Sequence, residues 1–242
     1  MQVLVSGASS GLGRWLASVA YPGAHTFNRA TGQPHQAVPA GGYNLIIHTA
    51  QAPRPHSTET EADYIQSHLT LTQTLLALPH LQFVYISSIN ALPGTPTPNA
   101  YARCKQTIES LLSTHPNTVI LRPAALFGPG MRPNASVRML TQPHTPLTLS
   151  GTSTFTFTSY QDIAQAIRHA ANLPAISTLA SQPAFSLAQL AAHFNLTPQF
   201  GTFTYITPQL HINPVLLKLI PNLSQTAFNR IIEFLTNKSY MA

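Results

Sequence analysis

The stretch Ser6-Gly7-Ala8-Ser9-Ser10-Gly11-Leu12-Gly13 limits what this 242-residue chain can fold into more than any other part of it. It follows an apolar run over residues 2–5 that reads as a short buried strand, and it leads into a helix predicted over residues 14–20. The three glycines have separate uses in such a turn. Gly7 permits backbone angles that other residues avoid. Gly11 lets the backbone approach a pyrophosphate, and Gly13 lets the helix pack closely on the strand. The free N–H groups and the positive end of the helix favour a bound diphosphate, and Ser9 and Ser10 add hydroxyl donors. Gly7, Ser9, Ser10, Gly11, Leu12 and Gly13 therefore form a candidate dinucleotide site.

The rest of the chain supplies a sheet for that turn. Strands are predicted over residues 24–28, 45–49, 83–87 and 118–121, and helices over 64–78 and 100–113. This alternation predicts parallel βαβ units in a Rossmann-type, doubly wound α/β sheet. Residues 30–44, ATGQPHQAVPAGGYN, are too short and too rich in Pro and Gly for a full crossover. A trimmed edge is expected there, with at most a vestigial strand near residues 36–38. Residues 123–133 read as a Pro/Gly-rich loop. Beyond residue 145 the pattern loosens, with helices predicted over 161–172, 186–194, 215–220 and 225–236 and strands over 176–179 and 203–206. The expected organisation is a dinucleotide-binding core over residues 1–145 and a small mixed α/β substrate-binding region over 146–242, interleaved with the last core strands.

Composition narrows the class. Apolar residues make up 44% of the chain, enough for a core, while charged residues are only 7%, against roughly 25% in ordinary soluble proteins. The net charge of +6 comes from 12 basic and 6 acidic residues. The basic residues are scattered, so a preference for anionic ligands is expected and a nucleic-acid partner is not. The single cysteine, Cys104, allows no internal disulfide and suits the cytoplasm. The first residues carry no charged segment of the signal-peptide kind, and no apolar run approaches the ~20 residues that span a bilayer. The 11 histidines show no HExxH or other metal-ligand spacing, so no metal is expected. His48 is read as a buried, hydrogen-bonded strand-end residue.

Two further patterns carry chemistry. Asn28-Arg29 closes the second strand, where an acid would hold a ribose 2′-hydroxyl and a base would neutralise a 2′-phosphate. No Asp or Glu precedes Glu59, and a guanidinium binds phosphate bidentately, so NADP is expected over NAD. Tyr101-Ala-Arg-Cys-Lys105 places Tyr and Lys on one helical face. A free tyrosine, with a pKa near ~10, is a poor acid–base group at neutral pH, and a neighbouring ammonium favours its phenolate. Ser88 lies at the end of the strand FVYIS, 13 residues before Tyr101. In a parallel sheet that end is where ligands bind, and Asn90 is read at the same mouth.

Together these segments resemble the short-chain dehydrogenase/reductase superfamily, in particular its extended branch of nucleotide-sugar epimerases, dehydratases and reductases. The matching segments are SGASSGLG (6–13), LIIHTA (45–50), FVYISS (83–88), YARCK (101–105), LRPAALFGPG (121–130) and TSYQDIAQAI (158–167). The resemblance implies that Tyr101 is the general acid/base, that Lys105 lowers its pKa and binds ribose, and that Ser88 orients the substrate oxygen. It implies that Thr49 and Ala50 join the cofactor site and that Arg132 or Arg138 meets an anionic substrate group. Some features depart from the pattern. The GxxxGxG spacing is that of the single-domain branch, and His68 stands where an asparagine is common. Counting back from Gly94 puts Ile89, not Ser88, in the third catalytic position. The expectation is a cytoplasmic NAD(P)-dependent enzyme acting at a carbonyl or alcohol carbon of a sugar, free or nucleotide-linked, with a homodimer through the helices of residues 64–78 and 100–113. A 4-epimerase holding NAD tightly and a non-catalytic NADP-binding regulatory protein are the alternatives.

Overall fold

The computed structural model describes residues 1–50, 58–93, 99–142 and 144–237; Gly94 lies outside them. In chain order the elements are β1 (Val3–Ser6), α1 (Gly11–Trp15), β2 (His25–Asn28), β3 (Gln33–Pro34), β4 (Tyr43–His48), α2 (Glu61–Leu76), β5 (His80–Ile86), α3 (Ala100–Leu112), β6 (Thr118–Pro123), β7 (Ala125–Phe127) and α4 (Ala135–Thr141). They continue with β8 (Thr154–Phe155), β9 (Phe157–Ser159), α5 (Tyr160–Arg168), β10 (Ile176–Leu179), β11 (Phe185–Ser186), α6 (Leu187–His193), α7 (Pro214–Leu219) and α8 (Ala227–Thr236). Helix α1 runs on into a π-helical segment, Leu16–Ala20.

A seven-stranded sheet in the order β10-β6-β5-β4-β1-β2-β3 forms the core. All of its pairings are parallel except β2 with β3. Successive strand residues alternate between its two faces. Val3, Val5, Leu45, Ile47, Val84 and Ile86 face a layer that includes α1, α5 and α7. Leu4, Ile46, Phe83 and Tyr85 face α2 and α3. Both faces are apolar, as a sheet covered on both sides requires. A third cluster gathers Phe127, Phe157 and Phe185 with residues of α4, α6 and α8. The paired strands β7–β9 and β8–β11 lie outside the main sheet.

The doubly wound α/β class is as expected from the sequence, with local differences. The vestigial edge strand lies at Gln33–Pro34, not at 36–38, and runs antiparallel to β2. The chain simply turns back, because too few residues remain for a crossover. The expected strand over 203–206 is reduced to a bridge between Leu149 and Phe203. Helix α1 starts at Gly11, before the predicted residue 14, and α2 starts at Glu61, where the Thr60 hydroxyl accepts from the Asp63 amide. The loop over 123–133 contains β7, and residues 135–141 form a helix where none was expected. Residues beyond 145 contribute β10 to the main sheet.

Candidate active site

Strand β1 lies between β2 and β4, so the chain leaves it for opposite sides of the sheet. Such a switch point opens a crevice at the carboxyl ends of the strands. A cleft of about 1790 Å³ occupies this position. Every residue predicted to bind cofactor or substrate or to take part in catalysis lines it: Gly7, Ser9, Ser10, Gly11, Leu12, Gly13, Asn28, Arg29, Thr49, Ala50, Ser88, Asn90, Tyr101, Lys105 and Arg132. Arg138, the other arginine considered, does not. Among the described residues no Asp or Glu lines the cleft.

The glycine turn is built for close approach. Gly7 has φ +78° and Gly11 φ +51°, in the left-handed region that favours glycine. A Cβ on Gly13 would sit 2.2 Å from the Gly7 carbonyl oxygen, and one on Gly7 would sit 2.6 Å from Thr49 Oγ1. Strand and helix therefore touch through backbone. Ser10 caps α1 without a side-chain hydrogen bond, so its hydroxyl does not compete for the amides of the first turn. The backbone donors and the two serine hydroxyls suit a pyrophosphate.

Beneath this turn lies a buried polar chain. His48 Nδ1 pairs with Ser6 Oγ at 2.7 Å and Nε2 with Thr72 Oγ1 at 3.1 Å. The Thr72 hydroxyl donates to the His68 carbonyl at 2.8 Å. Burial holds the His48 imidazole well below the usual histidine range, with Lys105 and His68 adding to the effect. The His68 ring is fully buried against Tyr64, and neither of its nitrogens has a hydrogen-bond partner among the described residues. Burial, followed by the charges of Arg29 and Lys105, pushes it down to about 4.

At the far wall, α3 presents Tyr101 and Lys105. Asn99 starts the helix by accepting from the Ala102 amide at 2.9 Å. The Tyr101 hydroxyl hydrogen-bonds the Ser88 side chain. Lys105 Nζ donates to the Ile86 carbonyl at 2.6 Å and lies 4.5 Å above the Tyr85 ring. The proton balance departs from the expectation that Lys105 lowers the tyrosine's pKa. Burial pushes Tyr101 up to about 12, against the lowering effect of its Ser88 hydrogen bond. Burial likewise pushes Lys105 down to about 7. The ammonium is directed at a strand-end carbonyl, 5.6 Å from the centre of the Tyr101 ring, so desolvation outweighs its attraction for a phenolate.

At the competing positions 88 and 89 both residues border the cleft. Ser88 is partly exposed on the cleft, and its hydroxyl accepts from the Asn90 amide at 3.2 Å. Ile89 is buried with Ala124, Ala180 and Leu210. Asn90 Oδ1 accepts from the Tyr205 hydroxyl at 3.0 Å. Arg29 lies exposed at the other end, with Nη2 3.3 Å from Ser67 Oγ, and Arg132 is exposed on the cleft rim. Sequence reasoning missed Asn99, Tyr160 and Tyr205, which also line the cleft. The helix-cap pattern before α3 was a usable signal for Asn99. Tyr205 meets Asn90 across 115 residues of chain and left no local pattern. Among the described residues no group of three His, Cys, Asp or Glu side chains is placed to hold a metal ion, and no helix is long and apolar enough to cross a membrane.

Comparison with known proteins places this geometry in context. The model of the NAD dependent epimerase/dehydratase family matches residues 33–178. Among solved structures, an NAD dependent NDP-hexosamine 5,6-dehydratase, TunA, is 18% identical with a TM-score of 0.69, over 98% of each chain. MoeE5, solved with UDP-glucose and NAD, is 18% identical with a TM-score of 0.67, over 94% of this chain and 93% of its own. UDP-glucuronic acid 4-epimerase from Bacillus cereus, solved with NAD, is 19% identical with a TM-score of 0.64, over 97% of each chain. At such identities the likeness is one of fold. No curated protein matches the sequence.

Proposed function

Because the chain belongs to the NAD dependent epimerase/dehydratase family, within the extended branch of the short-chain dehydrogenases/reductases, we propose that it uses NAD(P) to move a hydride to or from a carbonyl or alcohol carbon of a sugar, with a nucleotide-linked sugar as the first candidate. The observation that carries this reading is the placement of Ser88, Tyr101 and Lys105 on one cleft with the amide-lined glycine turn.

When bound, the nicotinamide supplies or accepts the hydride. Gly7, Ser9, Ser10 and Gly11 hold the diphosphate by backbone and hydroxyl donors. Lys105 holds the nicotinamide ribose. Ser88 donates to the substrate oxygen, and Tyr101 carries the proton that this oxygen gains or loses. Burial leaves the Tyr101 phenol protonated at neutral pH, as an ordinary tyrosine also is, so its titration favours neither direction of hydride transfer. At the other end of the cofactor, Arg29 and the absence of acids among the described cleft residues favour a 2′-phosphate.

Fluorescence titration with NADPH and NADH tests the cofactor reading. The expected result is tighter binding of NADPH, and Arg29→Ala should weaken it by about tenfold or more while leaving NADH affinity within a factor of two. Turnover is then sought with UDP-glucose and UDP-glucuronic acid. If neither nucleotide binds, the reading is wrong. A second reading, a 4-epimerase that oxidises and re-reduces one carbon, is favoured by the family match. It predicts purified protein already carrying NAD, and interconversion of UDP-sugar epimers with no consumption of added NADPH.

A further inference from the structure

The stripe on α3 that carries Tyr101 and Lys105 continues to Glu109, a further four residues along the same face. Each of these three side chains meets a different residue at the end of β5. Tyr101 hydrogen-bonds Ser88. Lys105 Nζ donates to the Ile86 carbonyl at 2.6 Å. Glu109 Oε1 accepts from the Ser87 hydroxyl at 2.5 Å. Helix and strand end are thus matched residue by residue over 86–88.

Glu109 is gripped from the other side by the fork of Arg122 on β6, with Nε 3.0 Å from Oε1 and Nη2 2.5 Å from Oε2. The two side chains are only 6% and 14% exposed. A two-pronged pair of this kind fixes orientation as well as distance, and burying it carries a desolvation cost that a plain apolar contact would avoid. Glu109 does not line the cleft, so contact with a ligand does not account for it.

We propose that Glu109 is a positioning residue: by tying α3 to Ser87 and Arg122 it sets the register of the Tyr101–Lys105 pair against Ser88. The inference rests on the Ser88/Tyr101/Lys105 reading above. It has an electrostatic side as well. Lys105 is faced by Tyr101 and Cys104 on its own helix, Tyr85 on β5, His48 on β4 and His68 on α2. Burial drives Lys105 down to about 7, and Cys104 and then the Glu109 carboxylate favour its charged form.

Glu109→Gln keeps the shape and an acceptor for Ser87 but removes the charge. Glu109→Leu/Arg122→Leu removes the whole pair and replaces it with apolar packing, which is often neutral for stability. Lys105 is titrated by NMR in protein carrying ¹³C-labelled lysine, its signal assigned by its loss in Lys105→Met, and NADPH affinity is measured at pH 6 and pH 8. The expected result is a Lys105 titration about one unit lower in Glu109→Gln, which leaves the Arg122 charge uncompensated, and a smaller shift in the double variant, which removes both charges together. NADPH binding at pH 8 should weaken about tenfold, with a smaller deficit at pH 6, even where the double variant regains the wild-type melting temperature. An unchanged Lys105 titration in Glu109→Gln, or full recovery of NADPH binding together with stability in the double variant, would overturn the proposal and leave a purely structural ion pair. The lysine titration needs no cofactor. Failure of the wild type to bind either nucleotide would therefore sink the cofactor reading separately.

Discussion

Tyr101 holds its proton more tightly than an ordinary tyrosine because the surroundings that aim it also dry it. Its hydroxyl is directed at Ser88, and burial raises it to about 12. Removing that hydroxyl leaves the ring packing in place and deletes the proton carrier. Tyr101→Phe should cut turnover by roughly 10²–10⁴ with NADPH affinity within a factor of three, measured by stopped-flow turnover and equilibrium titration. Unchanged turnover would point instead to a nucleotide-binding protein without this chemistry. A second residue-scale consequence concerns His68. Its pKa lies at about 4 in the folded chain, below the unfolded value near ~6.5. The fold therefore favours the neutral ring. That contribution is fully present above pH 6.5 and is lost as pH falls toward 4, by roughly 2–3 kcal/mol. Urea midpoints at pH 7 and pH 4.5 measure it. His68→Asn should shrink the difference between them, and an unchanged difference would assign the acid sensitivity elsewhere.

At the scale of elements, β1, the glycine turn and α1 act as one part. With only 2.2 Å between the Gly7 carbonyl oxygen and a Cβ at position 13, Gly13→Ala must push the helix off the strand. It should destabilise the fold by about 2–3 kcal/mol and abolish nucleotide binding, as thermal melts with and without NADPH would show. This part was legible in the sequence because glycine spacing, strand and helix lie within about twenty residues and obey local rules. The placement of Ser88, Tyr101 and Lys105 on the cleft was legible for the same reason, whereas the choice between positions 88 and 89 was not: Ile89 borders the cleft too, with its side chain buried in a cluster with Ala124 and Leu210. The C-terminal half was less readable. Strands β8 and β11 have two residues each, too few for a period, and they pair across about thirty residues through Phe155 and Phe185. Residues 203–206 alternate like a strand, yet they are held to the neighbouring segment by loop hydrogen bonds such as Ser150 N to the Phe203 carbonyl at 2.8 Å. The Asn90–Tyr205 and Glu109–Arg122 contacts depend on tertiary placement, which no spacing rule reports.

At the scale of the whole molecule, α8 is joined to the core by one buried cation. Arg230 Nη2 lies 2.6 Å from Asp162 Oδ2 and Nη1 lies 2.5 Å from Ser181 Oγ, with the guanidinium 5.4 Å from the centre of the Phe127 ring. Both charged side chains are almost out of water. Arg230→Met would strand the Asp162 carboxylate and should cost about 3–5 kcal/mol in urea unfolding, and Asp162→Asn in the same chain should recover part of that loss. The opposite flank of the molecule raises a different matter. Strand β3 ends the sheet after two residues, and one of them is Pro34, which has no N–H to offer. A third parallel strand would have left a row of open donors and acceptors on this flank. The short proline-ended strand instead gives a neighbouring chain little to pair with, so the economy that trimmed the edge also guards a weakly charged protein against edge-to-edge aggregation at high concentration.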